Sequence, residues 1–269
     1  MKKLSGFLAI LVLLPAMAWS GGNGANQQLQ DLNSLYEEIL LTYASPGEKN
    51  ALPAKMVDYR SLADDERWDT LIDMLAEFPV NVLETADEKK AFYLNVYNIL
   101  AMDMVTNNWP IRSLRNLGSV FRPVWTHEAG VVGGEPVTLR YLEHGVLRAT
   151  GDPRIHMAIN CASMSCPDLR NEPYKAEILD QQLNDQVTHF LAQENKGLTL
   201  DPDNKVVLAS SIFDWFEEDF ESEGGIAAFI RKYRDDIPES WDISADIPYN
   251  WDVNGHMTGR DLRNLRADW

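Results

Sequence analysis

The chain has 269 residues, 45% of them hydrophobic, and its 41 acidic against 24 basic side chains give a formal charge of −17 at pH 7. So acidic a surface repels polyanions, which excludes nucleic acid as the expected partner and disfavours an anionic lipid face. Length and apolar content suffice for one large domain with a substantial core.

The N-terminus has a basic start at Lys2 and Lys3, an apolar run from Phe7 to Leu14, and the small-residue stretch Ala16-Met17-Ala18-Trp19-Ser20. Those three zones in that order read as a cleavable secretory signal over 1–20. The apolar run falls well short of the ~20 residues that a membrane-spanning helix needs, so no stable membrane insertion is expected. Cleavage after Ala18 or Ser20 removes two lysine charges and takes −17 to −19. A soluble protein, periplasmic or secreted, is the expectation.

Residues 21–84 read as an N-terminal helical region. Gln28 to Tyr43 carries Leu29, Leu32, Leu35, Tyr36, Ile39 and Leu40 at helical spacing, Ser45-Pro46-Gly47 reads as a turn, and Trp68 to Phe78 as a second helix stopped by Pro79. Thr85 with Glu88 three residues on is a capping-box pattern. It opens Ala91 to Val105, which is apolar on every side and predicts a buried central helix. Asn95 and Asn98 lie one turn apart on that helix, so their amides either bond neighbouring backbone or line a cleft.

Further along, Arg122 to Leu139 predicts short strands around Gly133-Gly134, Thr138 to Arg148 a helix, and Arg154 to Asn160 a core strand. Tyr174 to Ala192 predicts a long helix and Leu198 to Leu208 a hairpin across Asp201-Pro202-Asp203-Asn204, which lacks the glycine and closing glutamate of a calcium loop. Short helices at Ser211 to Phe220 and Gly225 to Tyr233, a late strand within Ile243 to Val253, and a polar tail over 254–269 complete the reading. Helices and strands intermix without regular βαβ alternation. The expected class is a single α+β domain, with a small, mostly antiparallel sheet and several helices around the buried one.

Reactive side chains concentrate between Arg154 and Pro167, which hold both cysteines, Cys161 and Cys166, together with His156 and Asn160. In an exported protein, two cysteines with four residues between them most simply form a disulfide. A working thiol is the alternative: Cys161 as nucleophile, His156 or His144 as base, and Asn160 or Glu143 orienting that base. Zinc held by His156, Cys161 and Cys166 comes third, because the short ligand-pair spacing of structural sites is missing. Glu143, His144 and Arg148 also fit a helix-surface charge set. Phe213, Trp215, Phe216 and Phe220, interleaved with acids, read as a core-facing stripe ahead of a sugar platform.

Five ordered segments resemble the domain-of-unknown-function 547 family: Ala91-Phe92-Tyr93-Leu94-Asn95-Val96-Tyr97-Asn98; Glu143-His144-Gly145-Val146-Leu147-Arg148; Asp152-Pro153-Arg154-Ile155-His156 through Cys161 and Cys166-Pro167; Ser211-Ile212-Phe213-Asp214-Trp215-Phe216; and Tyr249-Asn250-Trp251. The resemblance spans roughly Lys89 to Val253 and marks 85–253 as the family core. It implies no settled activity. The residues where it directs attention are Asn95, Asn98, Glu143, His144, His156, Asn160, Cys161 and Cys166.

Two functions stay open. One is a thiol-dependent hydrolase or acyl transferase of papain-like or transglutaminase-like layout, with Asn95 or Asn98 contacting substrate. The other is a non-catalytic module with a Cys161–Cys166 disulfide that binds a peptide or protein, an envelope component or a small molecule. Neither calls for a cofactor.

Overall fold

The computed structural model describes residues 23–267, and the expected signal at 1–20 lies outside the described residues. Helix α1 (Asn23–Tyr43) buries Leu32, Tyr36, Ile39 and Leu40 on one side, as their spacing requires. The chain then enters an antiparallel hairpin of β1 (Ala44–Lys49) and β2 (Leu52–Val57). Ser45-Pro46-Gly47, expected as a turn, therefore lies within a strand, and the reversal falls at Asn50 and Ala51, both at positive φ (55° and 59°). Proline is admitted because both strands of a two-stranded sheet are edges. Helices α2 (Tyr59–Ala63) and α3 (Glu66–Glu77) follow, capped by the side chains of Asp58 and Asp65.

The capping box opens α4 (Ala86–Thr106): Glu88 N–H donates to Thr85 Oγ1 at 3.1 Å, and Thr85 N–H to Glu88 Oε2 at 2.8 Å. Leu94, Val96, Ile99, Leu100, Ala101 and Val105 are fully buried, so the expected central helix is present. Around it lie the hairpin β3 (Glu128–Val132) and β4 (Glu135–Thr138), turned at Gly133-Gly134, and a π-helical segment Tyr141–Leu147 in place of an ordinary helix.

Arg154 to Asn160 is not a strand. Asp152 caps a 3-10 turn, Pro153–Met157, with Pro153 in the first position. Ile155 and Met157 are buried all the same, which is why their alternation mimicked a strand. Helix α5 (Leu179–Leu191) starts five residues later than expected, beyond Pro173 and a 3-10 turn at Ala176–Ile178. The hairpin of β5 (Leu198–Asp201) and β6 (Val206–Ser210) forms as expected, and β7 (Asp242–Ile247) joins β6 in parallel. Between them run α6 (Ile212–Trp215) and α7 (Ile226–Tyr233), and α8 (Gly259–Ala267) occupies the expected tail.

The class is α+β in a single domain. Among the described residues its strands are divided among three small sheets: two antiparallel hairpins and one mixed, three-stranded sheet. A large apolar cluster surrounds α4, and a smaller one gathers Phe190, Phe213, Phe220 and Phe229.

The loop 158–167 is clamped from two sides. From α4, Asn98 donates to the Ala158 carbonyl at 3.1 Å and accepts from Asn160 N–H at 2.7 Å. From the C-terminal side, the Met164 and Ser165 N–H groups donate to the Asp252 and Asn250 carbonyls, and Asn254 N–H donates to the Ala162 carbonyl. Asn98 is 3% exposed, so its removal leaves the Asn160 N–H unpaired and the Ala158 carbonyl with only the Tyr174 hydroxyl, at 3.3 Å. Asn98→Ala should lower stability by about 2 kcal/mol, read from urea unfolding, at roughly 1–3 kcal/mol for the orphaned Asn160 N–H. A loss below ~1 kcal/mol would mean that the loop is held by the C-terminal clamp alone.

Candidate functional site

The clamped loop forms one wall of a cavity of about 250 Å³. Cys161 and Cys166 face it, and they are joined as a disulfide, with no free cysteine among the described residues. The other walls are aromatic. Trp215 and Trp251 stack with centroids 5.4 Å apart, Tyr249 lies 4.5 Å from Trp251 and 4.8 Å from Trp215, and Trp125 closes the set 6.0 Å from Trp251. Arg115 sits over the Trp251 ring at 4.9 Å. Tyr97 from α4 and Phe216 also line the space.

The polar lining comes from the π-helical segment and the 3-10 turn. Within Tyr141–Leu147, Arg148 N–H reaches back to the Glu143 carbonyl, five residues away, the wide closure that defines such a turn. Glu143 and His144 are thereby set at the pocket together with Arg140. Gly145 lets the segment pack, since a Cβ there would meet the Tyr141 ring at 2.9 Å. Burial raises the Glu143 carboxyl to about 7, against the opposing pull of Arg148 and the Tyr97 hydroxyl. Part of the side chain still opens to the cavity, so that rise is an upper bound.

His156 is 2% exposed and lies flat against Phe216, with centroids 4.0 Å apart. Its Nε2 is 2.7 Å from Asp219 Oδ2, and Asp219 takes two further bonds from Arg148, of 2.6 Å and 2.7 Å. Burial lowers His156 to about 4, outweighing Asp219, so near neutral pH the ring is uncharged. Nε2 then carries the proton donated to Asp219, leaving Nδ1 as a buried acceptor without a partner among the described residues. Burial also lowers exposed-edge His144, whose Nδ1 lies 2.8 Å from Arg148.

Of the expected site residues, Glu143, His144, His156, Cys161 and Cys166 come together at this cavity. Asn95, Asn98 and Asn160 do not line it; they are braces. Asn95 exchanges two bonds with Tyr174 backbone (2.9 Å and 2.8 Å), and Asn160 donates to the Pro167 carbonyl at 2.7 Å while accepting from Ala162 N–H at 2.8 Å. The free-thiol arrangement is replaced by the bridge. Cys161 Sγ contacts Ser163 and Tyr249 hydroxyls, and no histidine is among its hydrogen-bond partners among the described residues. Zinc by His156, Cys161 and Cys166 is likewise displaced, and no group of three or more His, Cys, Asp or Glu side chains among the described residues could hold a metal.

Sequence reasoning did not single out Asp219, Arg140, Ser163, Trp125, Tyr249 or Trp251 as site residues. The Asp214-Trp215-Phe216 and Tyr249-Asn250-Trp251 motifs were the available signals. The aromatic run splits: Phe213 and Phe220 are core, while Trp215 is 44% exposed and lines the cavity with Phe216. A second buried ion pair, Lys196 with Asp168 at 2.6 Å, lies elsewhere, and Asp168 also accepts from Lys55 N–H and Gln193, so this pair is a saturated tie.

No curated protein and no solved structure matches the chain. Residues 81–191 match the model of the family described as "Protein of unknown function, DUF547". That stretch contains α4, the Glu143-His144 segment and the Cys161–Cys166 loop, and it stops short of Trp215, Tyr249 and Trp251, which the sequence resemblance had included. Over that stretch the chain is similar to the DUF547 family.

Proposed function

We propose that this chain is an exported ligand-binding module that holds one ring-bearing or aliphatic group of a peptide, envelope component or small molecule in the aromatic cavity. The observation that carries the reading is the convergence of Trp125, Trp215, Tyr249 and Trp251 on a space walled by the Cys161–Cys166 bridge. A cavity of about 250 Å³ suits a side chain or a small ring. Apolar walls with a few placed polar groups are what ligand sites share, and Trp215, 44% exposed and stacked on half-buried Trp251, is not explained by core packing. The three-zone leader supports export to the periplasm or beyond. No helix among the described residues is long and apolar enough to cross a membrane.

Titration with a fragment set of aryl and alkyl acids, amides and amines, followed by tryptophan fluorescence, tests the reading. Trp251→Ala should weaken the best binder about tenfold or more, in keeping with loss of a buried aromatic contact. Saturable binding that is indifferent to both Trp251→Ala and Trp215→Ala would place the ligand elsewhere.

Glu143 sets the pH behaviour. With the folded value raised to about 7, its stabilising contribution is complete below the ordinary glutamate range and is lost as pH rises through about 7. Glu143→Gln, which has no proton to lose, should therefore gain stability relative to the parent chain between pH 6 and pH 8, by on the order of 1–2 kcal/mol once the open side of the carboxyl is allowed for. Amine fragments should bind the parent chain better above pH 7 than below, and the Gln variant should show no such step. Parallel stability curves for the two chains would refute the assignment.

A further inference from the structure

Three hydrogen-bonding groups converge on one sulfur of the bridge. Cys166 Sγ lies 2.9 Å from the Cys161 backbone nitrogen, 3.0 Å from Tyr249 Oη and 3.3 Å from Ser163 Oγ. When Ser163 gives its one proton to Tyr249 Oη, at 3.1 Å, the phenol proton is free to point at Cys166. Among the described residues Cys161 Sγ has only longer contacts, 3.4 Å and 3.5 Å, to the same two hydroxyls and none from a backbone N–H. A bridged sulfur is a weak acceptor, whereas a thiolate accepts charge-assisted bonds about twice as strong as neutral ones. The donors therefore favour the products of bridge cleavage over the bridge. Exposure supplies the second asymmetry: Cys166 is 3% exposed, while Cys161 is partly open to the cavity.

We propose that Cys161–Cys166 is a redox-active couple that oxidises peptide thiols reaching it through the aromatic cavity. A peptide thiolate attacks Cys161 Sγ and a new S–S bond forms there. The Cys161–Cys166 bond breaks, and its electron pair leaves on Cys166 Sγ, where the Cys161 N–H and the Tyr249 hydroxyl hold the charge. A second peptide thiolate then attacks the peptide sulfur of the mixed disulfide and expels Cys161 as thiolate. Two thiols have lost two electrons to the bridge, their protons passing to solvent and to the released cysteines. A low-molecular-weight disulfide restores the bridge by the reverse exchange. Exchange is faster the better the leaving thiolate is stabilised, which assigns the leaving role to Cys166 and the attacked position to Cys161. Among the other titratable groups at the cavity, Arg140 favours the thiolate, ionised Glu143 opposes it, and His144 and His156 are uncharged near neutral pH.

The test places the oxidised chain, without denaturant, in buffers of graded reduced-to-oxidised glutathione ratio and counts blocked thiols by alkylation and intact mass. The bridge should equilibrate with the buffer while the chain stays folded. Cys166→Ser should trap glutathione on Cys161, and Cys161→Ser should trap at least tenfold less on Cys166. Tyr249→Phe keeps the ring and removes one donor, so it should slow reduction about tenfold, the equivalent of one charge-assisted hydrogen bond. A bridge reduced only in denaturant overturns the proposal, as does Tyr249→Phe reacting at the parent rate. Should the cysteine variants fail to fold, the parent chain and Tyr249→Phe decide the matter alone. Exchange with glutathione requires no affinity for a ring in the cavity, so its failure leaves the binding reading intact, and failure of fragment binding leaves the exchange result standing.

Discussion

The amide of Asn98 fixes where the cavity is. It sits in the buried part of α4, and its two bonds, to the Ala158 carbonyl and the Asn160 N–H, hold the start of the cysteine loop against that helix. Asn160 then folds the loop on itself through the Pro167 carbonyl and the Ala162 N–H. Ala162 is held at φ 57°, a left-handed conformation costing an L-residue roughly 1 kcal/mol, and bonds at both its N–H and its carbonyl keep it there. With the backbone thus over-determined, Cys161 and Cys166 have little freedom to move apart. The C-terminal segment 250–254 pairs with the other side of the loop and brings Tyr249 and Trp251 with it. Placement of the sulfurs and placement of the aromatic wall are therefore one problem, solved by backbone bonding around a buried amide.

This explains what the sequence revealed. The buried helix, its capping box, the Gly133-Gly134 hairpin and the hairpin over 198–210 are local patterns, legible because periodicity and turn chemistry act over a few residues. The 153–157 segment misled because alternating apolar residues bury equally well on a short 3-10 turn, and only the Asp152-Pro153 pair, a cap followed by a first-position proline, argued otherwise. The β1–β2 hairpin was hidden by a proline that an edge strand tolerates. Asn95 and Asn98 were visible as polar residues at core positions, but whether such amides bond backbone or ligand depends on loops more than fifty residues away.

The site was half legible for the same reason. Cysteines, histidines and a glutamate are conspicuous by residue type. Asp219 is one acid within an acidic run, and nothing local distinguishes it from Glu217 or Glu218. Its distinction is tertiary: it faces both Arg148 and His156, and their bonds hold its carboxyl below the usual range although burial alone would raise it.

Glu143 and His156 show how the same burial yields opposite chemistry. Removing water disfavours whichever form is charged, so it keeps the carboxyl protonated up to about 7 and the imidazole neutral down to about 4. Near neutral pH, then, the cavity offers a carboxyl that is half donor and half anion, and an imidazole whose unpartnered Nδ1 can only accept. A thiol-protease arrangement would instead need an imidazole able to take and keep a proton next to a cysteine. Here the proton-bearing nitrogen is committed to Asp219, and the ring is pressed against Phe216 in a site that disfavours its cation. The charge relay that would activate a nucleophile is thus turned toward holding the 3-10 turn and the 217–223 segment together, and Cys166 Sγ is left to the neutral donors Cys161 N–H and Tyr249.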